Sequence, residues 1–315
     1  MNHCNVSPEI AQGLLELKQR ITAANIPPSK IDESLNIATW NIREFGKKGR
    51  SEAAIHYIAE ILGQFDLIGV VELRDDLHDL GRVLSVLGPY WRAVYSDMIP
   101  DAGGNHERVA FVFDKRAVVF NGLAAEASPP RVKKGEEYLS EDSFWRSPYM
   151  ASFRSGNFDF VVLCTHIRWG KSDKARTREL QLLANWIEAK RKDKHAEDKD
   201  LIVMGDFNIP DREGEMFQAI ISHGLQIPAP LLSLTFGSNL AKDKRYDQIL
   251  HHAIYPENFA NAGGVLDFYA NDHKPLFPDL TKSQFTYQLS DHLPLWMQIN
   301  TDIDGFQLEQ IVRGG

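Results

Sequence analysis

The stretch VMGDFNIPD, Val203–Asp211, decides how the chain is read. An apolar run, LIVMG, passes without a spacer into an aspartate, an aromatic and an asparagine. Gly, Asp and Asn are ordinary turn residues, so backbone chemistry alone offers one explanation. The other is functional: the end of a buried strand is a rigid place to hold a carboxylate and an amide against a substrate.

The same ending recurs along the chain. IATWN closes on Asn41, LIGVVE on Glu72, VVLCTH on His166, and IVMGDFN on Asp206 and Asn208. KRYD sets Asp247 at a strand start, and LSDHLPL sets Asp291 and His292 directly before the last apolar strand. Any one of these is an ordinary cap, turn or hydrogen-bonded core residue. The recurrence is what turn chemistry leaves unexplained.

Between these points, short apolar strands alternate with helices and with further strands. Ser7-Pro8 followed by EIAQGLLELKQRITAAN reads as a capped amphipathic helix, stopped by IPPSK; residues 1–30 are taken as an appended helical extension before a domain over 31–315. SEAAIHYIAEILGQ, DDLHDLGRVLSVLG and DKARTRELQLLANWIEAKRKDKH carry helical spacing. FDLIGVVEL, YWRAVYS, ERVAFVFD, AVVF, LIVMG, YDQILHH and LPLWMQIN read as strands, and YMASFRSG with FDFVVLCTH as a hairpin turning at Ser155-Gly156-Asn157. EASPPRVKKGEEYLSEDSF and NAGGVLDFYANDHKPLFPDLTKSQ are expected as surface loops. Many strand–strand neighbours among helices point to an α/β sandwich, two packed sheets with helices outside.

Composition narrows the class. The chain has 315 residues, 43% hydrophobic and 25% charged, as in soluble globular proteins. No run approaches a membrane span, and the N-terminus lacks the pattern of a secretory signal. Two cysteines, Cys4 and Cys164, exclude a disulfide framework and fit a reducing cytoplasm. A net charge of −8 argues against coating nucleic acid by bulk attraction, but says nothing against a local basic rim.

Chemically, Asn41, Glu72 and the neighbouring acids offer hard oxygens suited to Mg²⁺, with Mn²⁺ as an alternative. The histidines and aspartates suit hydrolysis, one group removing a proton from water and another protonating the leaving oxygen. His251 and His252 are adjacent on a strand and face opposite ways, so zinc is the weaker reading. There is no phosphate-cradling glycine loop and no serine nucleophile elbow; GKKG lacks the required spacing.

Together the blocks IATWNIREFG, DLIGVVELRDD, NHERVAFVFD, RSPYMASF, VVLCTHIRWG, IVMGDFNIPD, RYDQIL and SDHLPLW resemble, in order, the endonuclease/exonuclease/phosphatase superfamily, and within it the deoxyribonuclease I-like members. They span residues 35–300. The resemblance implies an α/β (α+β) four-layer sandwich of two packed, mostly antiparallel sheets flanked by helices, with the active site at one edge. Asn41 and Glu72 resemble the metal-binding pair, and Asp291 a further metal or site carboxylate. Asp206 and Asn208 are similar to the pair at the scissile phosphate. His292 resembles a catalytic histidine oriented by Asp247, and His166 a second one oriented by Glu107. Arg146 resembles a phosphate-contacting arginine.

The expected activity is Mg²⁺-dependent hydrolysis of DNA phosphodiesters with low sequence specificity, leaving 5′-phosphate and 3′-hydroxyl ends. The expected partner is double-stranded DNA, with no membrane partner. Arg43 and Arg74 resemble arginines that approach the DNA backbone and minor groove, and HIRWGKSDKARTR adds five basic residues that could track a duplex. Asn105 stands where the nuclease subgroup tends to have a tyrosine, so groove contacts are expected to differ. The alternatives keep the chemistry and change the substrate, to an inositol phosphate or a sphingomyelin-like lipid, or keep the fold without catalysis.

Overall fold

The strand Leu201–Asp206 is buried along its whole length. Its alternation explains why: Ile202 and Met204 enter one apolar cluster while Leu201 and Val203 enter another. The strand Phe158–His166 divides in the same way, with Val162 and Cys164 on one side and Val161 and Leu163 on the other. A sheet with both faces covered reads as a continuous apolar run, as LIVMG and FVVLC do.

A computed structural model describes residues 1–3, 5–98, 106–140, 142–170, 172–196 and 198–314. In chain order the elements are α1 (Pro8–Ala23), β1 (Ser34–Phe45), α2 (Glu52–Leu62), β2 (Leu67–Leu73), α3 (His78–Leu87), β3 (Trp91–Tyr95), β4 (Arg108–Asp114), β5 (Val119–Glu126), β6 (Val132–Lys134), β7 (Glu137–Leu139), β8 (Tyr149–Ser155), β9 (Phe158–His166), α4 (Asp173–Lys192), β10 (Leu201–Asp206), α5 (Glu215–Ile221), α6 (Ala229–Leu232), β11 (Asp247–His252), β12 (Ala262–Val265), α7 (Lys282–Gln288), β13 (Leu295–Asn300) and α8 (Asp304–Gly314). One sheet runs β12-β13-β1-β2-β4-β3 and the other β11-β10-β9-β8-β5. The expected sandwich of two packed, mostly antiparallel sheets flanked by helices is what is found.

Each sheet contains one parallel pair, β1 with β2 and β9 with β10. A parallel pair needs a crossover, and α2 and α4 supply them. The two sheets approach closely at Gly69, where an added Cβ would lie 2.9 Å from the Cys164 sulfur and 3.1 Å from Met204. Helix α4 lays Leu180, Leu183, Ala184 and Ile187 over the outer face of the second sheet, joined by Phe217 and Ile220 of α5.

Helix α1 begins as read, with the Ser7 hydroxyl accepting from the Ile10 amide and Pro8 in the first turn. Leu14, Leu17 and Ile21 are buried in the larger core. Arg20 donates to the Phe268, Tyr269 and Asp272 carbonyls at 3.0, 2.8 and 2.7 Å, tying the helix to the segment after β12.

Five expectations need correction. The segment 261–284 is not a surface loop. It contributes β12 and the start of α7, and it buries Val265, Leu266, Phe268, Tyr269, Leu276 and Phe277. Its glycines, aspartates and prolines hid an apolar content that lacks any regular period. The segment 126–144 holds the hairpin β6–β7, whose residues are exposed. β5 begins at Val119 and runs on to Glu126, later and longer than AVVF. Helices α5, α6 and α8 were not anticipated. The β8–β9 hairpin turns at Gly156-Asn157, with Ser155 opposite Phe158.

Candidate active site

The parallel strands end, and several of their antiparallel neighbours begin, at one edge of the sandwich. Asp206, the last residue of β10, is in register with His166 at the end of β9 and with Asp247 at the start of β11. In the other sheet Asn41 sits opposite Val71, and pairing then slips before Phe45 meets Leu73. Glu72 lies in that slip with φ +63°, and Asn208 follows β10 with φ +52°. Left-handed backbone at residues other than glycine is uncommon and tends to mark functional sites. Gly205 also has a positive φ, +136°, and its missing side chain lets the strands close: a Cβ there would meet the Thr165 carbonyl oxygen at 1.9 Å.

These ends line a cleft of about 510 Å³ that gathers Asn41, Arg43, Glu72, Arg74, Glu107, Arg146, His166, Asp206, Asn208, Asp291 and His292. Asp247 lies behind it, fully buried under His292. All the residues singled out at strand ends therefore converge.

Two histidine–carboxylate pairs dominate the geometry. His292 Nδ1 is 2.8 Å from Asp247 Oδ2, and the same oxygen accepts from the Ser238 hydroxyl at 2.6 Å. His166 Nδ1 is 2.8 Å from Glu107 Oε2. The free Nε2 atoms of both rings face Asp206 Oδ2, at 3.8 Å from His292 and 3.7 Å from His166. Burial pushes the His292 pKa down, but Asp247 and Asp206 outweigh it and raise it to about 10. Burial and the Arg146 charge oppose protonation of His166, while Glu107 and Asp206 favour it, and the net shift is upward. Burial also opposes the Glu107 charge, yet His166 and Arg146 overcome it and hold that pKa at about 2. Burial raises the Asp247 carboxyl and His292 pulls it back. The net shift is upward, and the Ser238 hydroxyl and His292 ring on Oδ2 favour the ionised form against it.

Asn41 Nδ2 donates to Glu72 Oε1 at 2.9 Å and to Asp206 Oδ2 at 3.1 Å. The buried Asn41 Oδ1 has no hydrogen-bond partner. Glu72 Oε2 accepts from the Glu44 amide at 2.8 Å. Among the described residues no lysine or arginine pairs with Glu72 or Asp206. Two carboxylates and an orphaned amide oxygen, with no lysine or arginine paired to them among the described residues, are the hard-oxygen donor set that Mg²⁺ or Mn²⁺ takes. The residues fit the metal, and Glu72, Asn41 and Asp206 would hold it. Asp206, Asp247 and His292 also bring ligand atoms within 4.8 Å of one another, but two protein donors already occupy Asp247 Oδ2. Asp291 stands on the rim, half exposed, 3.8 Å from Arg43.

The arginines differ from their sequence reading. Arg74 is buried, 3.5 Å from Glu107, and does not project outward as a groove-reading arginine would. Arg146 grips the same carboxylate at 2.7 and 3.0 Å, with its buried Nη1 unpartnered. Arg43 bonds the Thr286 hydroxyl and lies 3.9 Å from the centre of the Tyr287 ring. In HIRWGKSDKARTR, Arg176 is buried, donating to the Asn208 carbonyl and to Asp173, and Arg178 is paired with Asp142. Arg176 is therefore structural, whereas Arg178 stays exposed in a surface pair. Asn105, Lys171 and Cys4 lie outside the described residues.

Other contributors escaped notice. Ser290 accepts from the His292 amide at 2.9 Å and donates to the Asn41 carbonyl at 2.6 Å, fastening two strand ends from one hydroxyl. Trp40 Nε1 donates to the His292 carbonyl at 2.9 Å. Trp169 and Tyr246 line the cleft. Their neighbours in sequence, His166 and Asp247, were the available signal.

The model of the Endonuclease/Exonuclease/phosphatase family matches residues 38–292. The chain belongs to that family. Its members are hydrolases acting on phosphate esters and are generally dependent on divalent metals. No curated protein sequence matches the chain. Solved structures share the family fold at low identity. Truncated TDP2 of Caenorhabditis elegans is 15% identical with a TM-score of 0.59, over 85% of this chain and 98% of that one. The human Nocturnin catalytic domain with bound sulfate is 17% identical with a TM-score of 0.54, over 84% and 94%. A mannosyl-6-phosphatase of Bacteroides thetaiotaomicron is 19% identical with a TM-score of 0.52, over 84% and 99%. At such identities the likeness is one of fold.

Proposed function

We propose that this family member is a Mg²⁺-dependent phosphodiesterase that hydrolyses DNA with little sequence preference, leaving 5′-phosphate and 3′-hydroxyl ends. One observation carries the reading: two imidazoles, each braced by its own carboxylate, turn their free nitrogens on Asp206 in a cleft that also holds Asn41 and Glu72. A carboxylate on Nδ1 fixes the tautomer and stabilises the imidazolium formed in turnover. The imidazolium, which the surrounding carboxylates favour on both rings, can give a proton from Nε2 to the departing 3′ oxygen, and a ring in its neutral form takes one from water; the geometry serves either assignment. When bound, the metal supplies stabilisation of the charge developing on phosphate. Arg146 offers its unpartnered Nη1 to a phosphate oxygen. Asn208 already donates to the Ile167 carbonyl at 2.7 Å, so its amide is held in place before substrate arrives.

A second reading, hydrolysis of a compact phosphomonoester such as an inositol phosphate, is favoured by one feature: Arg74 and Arg146 both turn inward to Glu107 instead of outward along a duplex. Nicking of supercoiled plasmid separates the two. Nicking that needs Mg²⁺, stops with chelator and is lost in His292→Ala supports the nuclease. Phosphate release from inositol phosphates, with no nicking of plasmid and no cleavage of single-stranded DNA under any metal, sinks it.

A further inference from the structure

The chain has six tryptophans, and three of them, Trp40, Trp91 and Trp296, are buried. Trp145 and Trp169 are instead 55% and 63% exposed, and both belong to segments that build the cleft. Trp169 lines it directly. Its ring stands edge-on to Tyr246 at 5.7 Å, and Tyr246 lies 5.9 Å from the His292 ring, so an aromatic wall runs from the rim to the reacting centre. Trp145 immediately precedes Arg146, which lines the same cleft.

Neither ring is placed by apolar packing, yet both segments are held. Buried Glu179 of α4 accepts the Trp145 amide at 2.9 Å, and the Arg168 amide also stabilises its charge. One carboxylate thus anchors the segments that carry both tryptophans. Arg168 lies 4.4 Å from the Trp145 ring, whereas the arginine 5.4 Å from Trp169 is Arg176, already tied to the Asn208 carbonyl and Asp173. A single exposed tryptophan needs no explanation. Two anchored ones beside a phosphate-ester site, with Arg168 at the face of Trp145, are the combination that binds nucleotides in single strands: rings to stack bases, charge to follow phosphates.

We propose that Trp145 and Trp169 form a stacking platform for bases next to the scissile phosphate, so that the enzyme takes its nucleic acid unpaired. This rests on the nuclease reading and goes beyond it. In a duplex the base faces are already stacked on their neighbours and cannot meet a protein ring. A neutral sugar could lie on a tryptophan, but it gives no reason for the Arg168 guanidinium.

The test compares three probes on the full chain in chelator, by fluorescence anisotropy: a labelled oligothymidylate, an abasic phosphate chain of equal length, and a duplex. The same samples are then assayed for cleavage in Mg²⁺. Oligothymidylate is expected to bind best, and Trp169→Ala and Trp145→Ala to weaken it by about ten- to a hundred-fold while leaving the abasic chain unaffected. Trp169→Phe should retain most of the binding. Thermal melting of each variant checks folding, which exposed rings should hardly affect. Equal binding of base-bearing and abasic chains, tighter binding of the duplex, or full affinity in both alanine variants overturns the platform even if DNA is cut. No binding and no cleavage of any DNA overturns the nuclease reading together with it.

Discussion

His166 and His292 address a single oxygen. Their Nε2 atoms lie 3.7 and 3.8 Å from Asp206 Oδ2, although one ring ends β9 and the other precedes β13 in the opposite sheet. The working pair is therefore assembled across the seam of the sandwich. Its geometry depends on how the sheets pack, and Ser290, joining the His292 amide to the Asn41 carbonyl, fixes the His292 side within its own sheet.

If the two imidazoles move protons in one reaction, removing either should cost about a hundred- to ten-thousand-fold in kcat. His292→Ala and His166→Ala are expected in that range, with KM little changed. Because the pair acts as a unit, the double variant should lose far less than the product of the single losses. Asp247→Asn should imitate His292→Ala in kind, since an amide on Nδ1 no longer stabilises the imidazolium. Steady-state rates on a phosphodiester substrate, with circular dichroism to check folding, decide this. A fully multiplicative double variant would show that the histidines act in separate steps.

Glu72, Asn41 and Asp206 present hard oxygens that no lysine or arginine among the described residues neutralises, so binding of Mg²⁺ should stabilise the fold by mass action. The melting temperature is expected to rise with Mg²⁺ concentration and to return to its starting value with chelator. Glu72→Gln should abolish the rise without unfolding the protein. Scanning fluorimetry across a Mg²⁺ series reads this without any substrate. A rise that survives in Glu72→Gln would move the ion elsewhere.

Gly205 makes the local backbone testable. Its φ of +136° and the 1.9 Å approach of a hypothetical Cβ to the Thr165 carbonyl leave no room for a side chain, and the obstacle is backbone that cannot rotate away. Gly205→Ala should cost about 3 kcal/mol or more, a sum of strain and forced separation of β9 from β10. Urea unfolding measures it. A loss under 1 kcal/mol would show that the parallel pair yields easily and that the strand end is less rigid than its hydrogen bonding implies.

Much of this was legible because strands at this edge carry polar residues that an apolar run would not otherwise acquire. LIVMG into Asp206, VVLCTH into His166 and LIGVVE into Glu72 mark the edge by contrast alone. What stayed hidden lacked contrast or period. Ser290 and Ser238 look like any loop serine until their oxygen partners appear. The segment carrying Phe268 and Leu276 is buried by tertiary contacts, and its irregular spacing gives no helical or strand signature. Arg74 and Arg176 show the opposite failure: sequence marks them as charged and therefore exposed, whereas acceptors at Glu107 and at the Asn208 carbonyl draw them inside.

The adjacent histidines, read first for zinc, give a prediction about pH. His251 is buried and stacked on Phe259 at 4.0 Å, nearly parallel, with its Nδ1 unpartnered. Burial, helped by the charge of His252, lowers its pKa to about 4. An unfolded chain keeps a histidine near 6.5. As pH falls below 6.5 the unfolded state therefore takes up a proton that the folded state refuses, and stability declines until about pH 4, below which this contribution levels off. The loss is at most about 3 kcal/mol across that window. His251→Leu keeps an apolar group against Phe259 and removes the titration. Urea unfolding at pH 7 and pH 5 should show a smaller pH-dependent loss in the variant than in the parent, with other groups cancelling in the comparison. Equal slopes in both proteins would mean that His251 finds a proton acceptor when charged, and that its unpartnered nitrogen is not as isolated as the structure draws it.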